Sequence, residues 1–315
     1  MSVADTNQPS VLQAARLVAS DIKIAHSVFA LPFALLASVR ALESSKTIHI
    51  NSRDGAILIG LIVLCMVLAR TWAMLFNRLV DSRIDRDNAR TARRIFASGA
   101  LSNTTGWTIA LLCAAAFCAV TSIFNVYFNN PWPLVLSVPV LLWIAFYSIT
   151  KRFTMLCHVF LGGALAASPL AAAIAVNPES LRTDLSMWAL SAFVLFWVAG
   201  FDVLYALQDE RFDRERGLHS IPSRFGTARA LVLSRVMHVI AFLSLVAAYS
   251  RGDAFGGLFA IGVGITGALL ILEHTIVAQG WKGGTGVAAL NMAFFTVNGV
   301  VSCILGALGI ADTLW

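Results

Sequence analysis

The sequence predicts an all-α membrane protein that crosses the bilayer nine times. Three observations predict it. Apolar residues fill 58% of the 315 positions and charged residues only 13%, against about 25% charged in an average soluble domain. With a mean hydropathy of +0.78, a soluble chain of this length would leave large sticky patches in water. The apolar residues also gather into runs of the length that spans hydrocarbon, about 20 residues. Finally, turn-forming residues separate the runs.

In order, the spans are expected near 22–43, 55–78, 104–126, 132–149, 154–176, 185–208, 227–249, 254–278 and 285–311. The run at 132–149 is short for a span. Asn129-Asn130-Pro131 precedes it, Asn177-Pro178 follows the fifth, and Gly280 with Gly283-Gly284 precedes the ninth. Residues 1–20 are mixed and polar, without the compact apolar core and small-residue site of a cleavable signal. Cys65, Cys113, Cys118, Cys157 and Cys303 all lie in apolar stretches without CxxC spacing, so they read as small buried hydrophobes.

An odd number of spans puts the termini on opposite sides. The loops after spans 2, 4, 6 and 8 then share one side and carry Arg78, Arg83, Arg86, Arg90, Arg93, Arg94, Lys151, Arg152, Arg211, Arg214, Arg216, Arg224, Arg229 and Lys282. The other side carries Arg40, Lys46, Arg53, Arg182 and Arg251. The positive-inside rule makes the first side cytoplasmic, together with the N-terminal segment 1–21. The net charge of +6 comes from these loops and calls for no nucleic-acid partner.

Two acidic clusters stand at span ends on that side. One runs from Asn77 to Asp85, the other from Asp202 to Asp213. Residues three and four apart share a helix face. Asn77, Asp81 and Asp85 thus form one ladder; Asp202, Tyr205, Asp209 and Asp213 form another. Each could be a solvated loop edge, because charge runs usually are. Two Asp-x₃-Asp ladders at equivalent span ends are harder to assign to chance. Carboxylates at a membrane boundary need cations, and hard oxygen ligands suit Mg²⁺ and its diphosphate complexes.

Other residues extend the pattern inward. Arg70 lies two turns before Asn77 on the same face, and Asp202 lies seven residues before Asp209. An ionisable group inside a span is functional by default. Tyr147 and Lys151 are one turn apart at the end of span 4; Lys151 is either a topology charge or a diphosphate contact. Gly217-Leu218-His219-Ser220-Ile221-Pro222 reads as an ordered cap, in which His219 and Arg224 either close over a phosphate or serve the fold.

With these residues in hand, the chain resembles the UbiA superfamily of intramembrane prenyltransferases. The resemblance rests on Asn77-x₃-Asp81-x₃-Asp85, Tyr147-x₃-Lys151 and Asp202-x₆-Asp209-x₃-Asp213. The segment Ile22–Phe33, Arg70-x₆-Asn77 and Gly-Leu-His-Ser-Ile-Pro at 217–222 resemble the 4-hydroxybenzoate polyprenyltransferase-like branch. Many members carry an acid where Arg78 stands, a lysine where His219 stands, and a proline after the arginine that corresponds to Arg94. The resemblance implies a single transmembrane domain over 22–315, with the helices around a central cavity in a bacterial inner membrane.

It also implies Mg²⁺-dependent transfer of a polyprenyl group from polyprenyl diphosphate to a small aromatic acid. The expected acceptor is 4-hydroxybenzoate, as in ubiquinone biosynthesis, with a dihydroxynaphthoate of menaquinone biosynthesis as the alternative. Asn77, Asp81, Asp85, Asp209 and Asp213 are the implied Mg²⁺ ligands. Lys151, with Arg70 and Arg94, would meet the diphosphate, and Tyr147, Tyr205 and His219 are further substrate contacts. Asp202 would position the acceptor or assist proton loss, and Arg70 would alternatively bind its carboxylate.

Two other classes account less well for the chain. A transporter would place its site near the midplane at broken helices, whereas these acids cluster at one face. An alcohol-phosphatidyltransferase would show one acidic cluster with an Asp-Gly-x₂-Ala-Arg lead-in, which is missing here.

Overall fold

The computed structural model describes the chain apart from residues 1–10, 23–28, 46–47, 252–253, 283 and 285. Lys46, Gly283, the start of the 1–21 segment and most of the expected opening of the first span therefore lie outside the described residues. Every described element is helical. The elements that place the functional residues are α1 (Val11–Asp21), α2 (Leu31–Glu43), α3 (Arg53–Val80), α4 (Ser82–Asp87), α5 (Asn103–Phe128), α6 (Trp132–Thr150), α7 (Cys157–Val176), α8 (Ser180–Thr183), α9 (Ser186–Ala206), α10 (Glu210–Glu215), α11 (Ile221–Tyr249), α12 (Gly257–Lys282), α13 (Gly286–Asn291) and α14 (Asn298–Leu314).

Eight helical segments among the described residues are long and apolar enough to cross a membrane. They match the second to ninth expected spans, including the short one, which is Trp132–Thr150. The remaining expected span, 22–43, is described as the 13-residue α2, so the count of nine is not reached among the described residues.

Local sequence explains where the helices begin and end. Ser52 caps α3 by accepting from the Gly55 N–H at 3.0 Å, and Ser102 caps α5 by accepting from Thr105 N–H at 3.1 Å. Both satisfy one of the amide donors that a helix start leaves free. Asn129 closes α5 in the left-handed region at φ 51°, which asparagine tolerates better than most residues. Ser220 and Ser223 form a reciprocal capping box that starts α11.

Helix α9 is the central post. Leu190, Phe193, Val194, Trp197 and Val198 are fully buried along it, and it packs on α7 and α11. Helix α2 lies against α7 and α14, while α3 packs on α5 and α6. The outward faces of α5, α6, α11 and α12 carry exposed Leu112, Val126, Leu142, Leu243 and Ile271, the apolar exterior expected where lipid is the solvent. The hand-offs α3–α4, α6–α7 and α9–α11 meet at one end of the bundle, so both acidic ladders share one end.

The close approach of α7 to α9 depends on Gly162, where an added Cβ would stand 2.3 Å from the Leu195 carbonyl oxygen. A backbone atom cannot swing aside. Gly162→Ala is expected to destabilise the protein by about 1–3 kcal/mol, the usual cost of overpacking, measured as a lowered unfolding temperature in detergent.

Candidate active site

One cavity of about 710 Å³ opens at the charged end. Arg70, Asn77, Asp81, Asp85, Arg94, Tyr147, Lys151, Asp202, Tyr205, Asp209 and Asp213 all line it. The first ladder keeps its register across the bend between α3 and α4, because Asp81 N–H donates to Asn77 O at 3.0 Å and Asp85 N–H to Asp81 O at 2.7 Å. The second ladder passes through a tight turn at Leu207–Asp209 before α10.

Every ladder carboxylate below Asp202 is engaged by its own base. Arg94 Nη1 donates to both oxygens of Asp85 at 2.7 and 2.8 Å. Arg152 Nη2 donates to Asp81 Oδ1 at 2.9 Å and to the Val80 carbonyl at 2.9 Å. Arg90 Nε and Nη2 grip the two oxygens of Asp209, and Asn88 adds a 3.0 Å bond to Oδ1. Lys151 Nζ lies 2.7 Å from Asp213 Oδ1, while Ser220 Oγ donates to Oδ2 at 3.0 Å. Two short basic segments, 90–94 and 151–152, therefore each brace both ladders.

Burial explains why the pairing is needed. Asp213 is fully buried and Asp85 and Asp209 nearly so, and an isolated charge in such a place is costly. Burial pushes the Asp81 carboxyl above the ordinary aspartate value, and Arg152 offsets this only in part. Burial likewise works against the Lys151 ammonium, but Asp213 beside it prevails and holds Lys151 above the usual lysine value. Burial also opposes the charge on Arg90, and Asp209 again outweighs it.

Arg70 is different. Its Nε is buried without a hydrogen-bond partner among the described residues, and no acid there forms an ion pair with it. Its electrostatic neighbours are Tyr147 and a second cation, Arg78. Arg78 is answered from α1, where Asp21 Oδ2 accepts from its Nε at 3.1 Å. Deeper still, Asp202 meets His158 Nδ1 at 2.7 Å. One wall of the lining is aromatic, made of Phe29, Phe201, Tyr205, Phe294 and Phe295, and Arg90 Nη1 donates to its Tyr205 hydroxyl at 3.4 Å.

The donor set suits Mg²⁺ in chemistry, since four carboxylates and the Asn77 amide offer hard oxygen around one cavity mouth. Among the described residues no three His, Cys, Asp or Glu side chains converge as ligands of one ion, because each acid is turned to its arginine or lysine.

His219 stands apart from the expected set. It is exposed and does not line the cavity. Its main chain serves the cap instead, with N–H donating to Lys151 O at 2.7 Å. Arg224 is exposed as well and outside the lining. Sequence reasoning missed the roles of Asp21, Asn88, Arg90, Arg152 and His158. His158 carried a usable signal, a histidine inside an apolar run, whereas Arg90 and Arg152 looked like topology charges.

A bundle of membrane-spanning helices with an acid- and base-lined cavity at one end defines a polytopic membrane protein with one polar site. The chain belongs to the UbiA prenyltransferase family, whose model it matches over residues 30–309, and it is a prenyltransferase. A 4-hydroxybenzoate octaprenyltransferase from Methylococcus capsulatus is 27% identical over 258 residues, which cover 81% of this chain and 82% of that protein. Among solved structures, an apo UbiA homolog from Aeropyrum pernix K1 is 31% identical with a TM-score of 0.76, covering 91% of this chain and 98% of that one. A UbiA homolog from Archaeoglobus fulgidus, bound to DMAPP and Mg²⁺, shares the fold at 17% identity with a TM-score of 0.66, covering 94% and 99% of the two chains.

The Lys151–Asp213 pair is open to a double-mutant test. Removing one member of a wholly buried pair costs about 3–5 kcal/mol. Because the Lys151 side chain is 34% exposed, Lys151→Met is expected to cost about 2 kcal/mol in Mg²⁺-free detergent. Asp213→Asn in the same chain should recover most of that loss, read by thermal unfolding.

Proposed function

We propose that the protein transfers a polyprenyl group from polyprenyl diphosphate to 4-hydroxybenzoate and releases diphosphate. The observation that carries this reading is Arg70, a half-buried arginine whose Nε is buried without a partner and which has no acidic partner among the described residues, in a cavity rich in paired carboxylates. A planar guanidinium fork takes a carboxylate in two parallel bonds, so Arg70 suits the acid group of an aromatic acceptor. The curated relative's activity on 4-hydroxybenzoate supports the same acceptor.

Asn77, Asp81, Asp85, Asp209 and Asp213 would hold Mg²⁺. When bound, the metal supplies positive charge that stabilises the diphosphate as it leaves. Arg90, Arg94, Lys151 and Arg152, released from their carboxylates, would turn to the diphosphate oxygens and favour breakage of the allylic C–O bond. The aromatic wall keeps water from the developing allylic cation, and its π faces attract positive charge. The ring carbon beside the phenol bonds to that cation. Asp202 accepts a hydrogen bond from the phenol and takes up the ring proton. Tyr147 flanks Arg70 and Asp202, and Tyr205 belongs to the wall.

The basic residues gathered at the cavity end favour a cytoplasmic mouth under the positive-inside rule. The reading places one transmembrane domain over 22–315 in a bacterial inner membrane.

Product analysis tests it. Membranes with Mg²⁺, a polyprenyl diphosphate and 4-hydroxybenzoate should yield the ring-prenylated acid, and EDTA should stop the reaction. Product formed from a dihydroxynaphthoate but not from 4-hydroxybenzoate would overturn the acceptor. Asp81→Ala and Asp209→Ala should each lower turnover about 10²-fold or more while the protein stays inserted, as expected when several kcal/mol of charge stabilisation is lost. Full activity in either variant would sink the metal assignment.

A further inference from the structure

We infer that His158 is a positioning residue for the acceptor step: it holds the Asp202 carboxyl aimed into the cavity. The inference rests on the role given to Asp202 above and extends it to a residue that touches neither the diphosphate nor the metal ligands' side chains.

His158 is the second residue of α7 and is almost wholly buried at 2% exposure, yet it forms part of the cavity lining. Both ring nitrogens are committed. Nδ1 lies 2.7 Å from Asp202 Oδ2. Nε2 accepts from the Ile221 N–H at 3.3 Å. Ile221 opens α11, so this amide is one of the donors that a helix start leaves without an intrahelical acceptor. A nitrogen that accepts cannot carry a proton at the same time. The Ile221 bond therefore assigns the proton of a neutral ring to Nδ1, which donates to Asp202.

Asp202 is thereby fixed on one side only. Its side chain is 22% exposed, it lines the cavity, and Oδ1 takes no hydrogen bond from the described residues. That oxygen is the one free to meet the hydroxyl of the acceptor. The arrangement follows the logic by which a base is oriented by a third group. It also ties the deep acid to the cap. Residues 218–221 bond in succession to Asp213 O, Lys151 O, Asp213 Oδ2 and His158 Nε2.

A satisfied core histidine would show the same burial, so the test separates positioning from packing. Steady-state kinetics with the purified full chain, Mg²⁺, a polyprenyl diphosphate and 4-hydroxybenzoate would compare His158→Leu, His158→Asn, Asp202→Asn and the His158→Leu/Asp202→Asn pair. Loss of base positioning should lower kcat about 10²-fold in His158→Leu, within the range of general-base effects, with the KM for the donor unchanged. His158→Asn, whose amide nitrogen sits near the place of Nδ1, should recover most of that loss. The double variant should be no slower than Asp202→Asn alone. If the leucine variant does not insert, His158→Ala takes its place in the cycle.

Wild-type kcat in His158→Leu, no recovery by asparagine, or a fully additive double variant would each overturn the inference. Wild-type turnover in Asp202→Asn would instead remove the role of Asp202 itself. A crippled Asp202→Asn beside a fully active His158→Leu would overturn only the part assigned to His158.

Discussion

The structure depends on the neutralisation of four carboxylates, three buried and one partly buried, at the edge of an apolar bundle. Asp81, Asp85, Asp209 and Asp213 come from two ladders, and the bases that answer them come from two short basic segments. Arg94 and Arg90 reach one acid in each ladder, and Arg152 and Lys151 do the same. The cross-bracing pins the ends of α3, α6 and α9 to one another. Without it, each acid would carry the full cost of an uncompensated charge. Burying such pairs seldom adds stability over an apolar core, so their presence points to a task that needs charge in a dry place.

The same pairing describes how the site can accept its substrate. Under the proposed function, a doubly charged metal and a diphosphate would arrive together as opposite charges. The carboxylates and the bases can each exchange a protein counter-ion for a substrate one, so little net charge needs to be desolvated afresh. Arg70 stands outside this exchange because none of the described acids pairs with it. The cavity brings the paired acids and bases, then Arg70, Tyr147 and Asp202, together with an aromatic wall.

Much of the site was legible in the sequence. The ladder residues, Arg70, Tyr147, Lys151 and Asp202 sit on helical periodicity, and that spacing survives folding because the backbone bonds Asp81 to Asn77 and Asp85 to Asp81 in helical register. His219 lies outside the cavity lining for a related reason. It follows a glycine in an irregular turn, where spacing does not say which way a side chain points. Its backbone N–H bonds to the Lys151 carbonyl, and its exposed ring lies outside the lining. Asp21 and Arg90 left no periodic signal at all, since one arrives from a separate helix and the other from a loop.

By itself the sequence determined the class of the protein, the positions of its long helices and the acids that gather at one end. Hydropathy and helical period are local properties, and a bilayer makes them decisive because no unpaired backbone can face lipid. Only the tertiary structure decided which base meets which acid, that Arg70 pairs with none of the described acids, and that His158 stands behind Asp202. Those facts depend on contacts between residues such as Arg90 and Asp209 or His158 and Ile221, which lie 119 and 63 positions apart. Such distances in sequence are closed only by packing, and no spacing rule within a single helix can anticipate them.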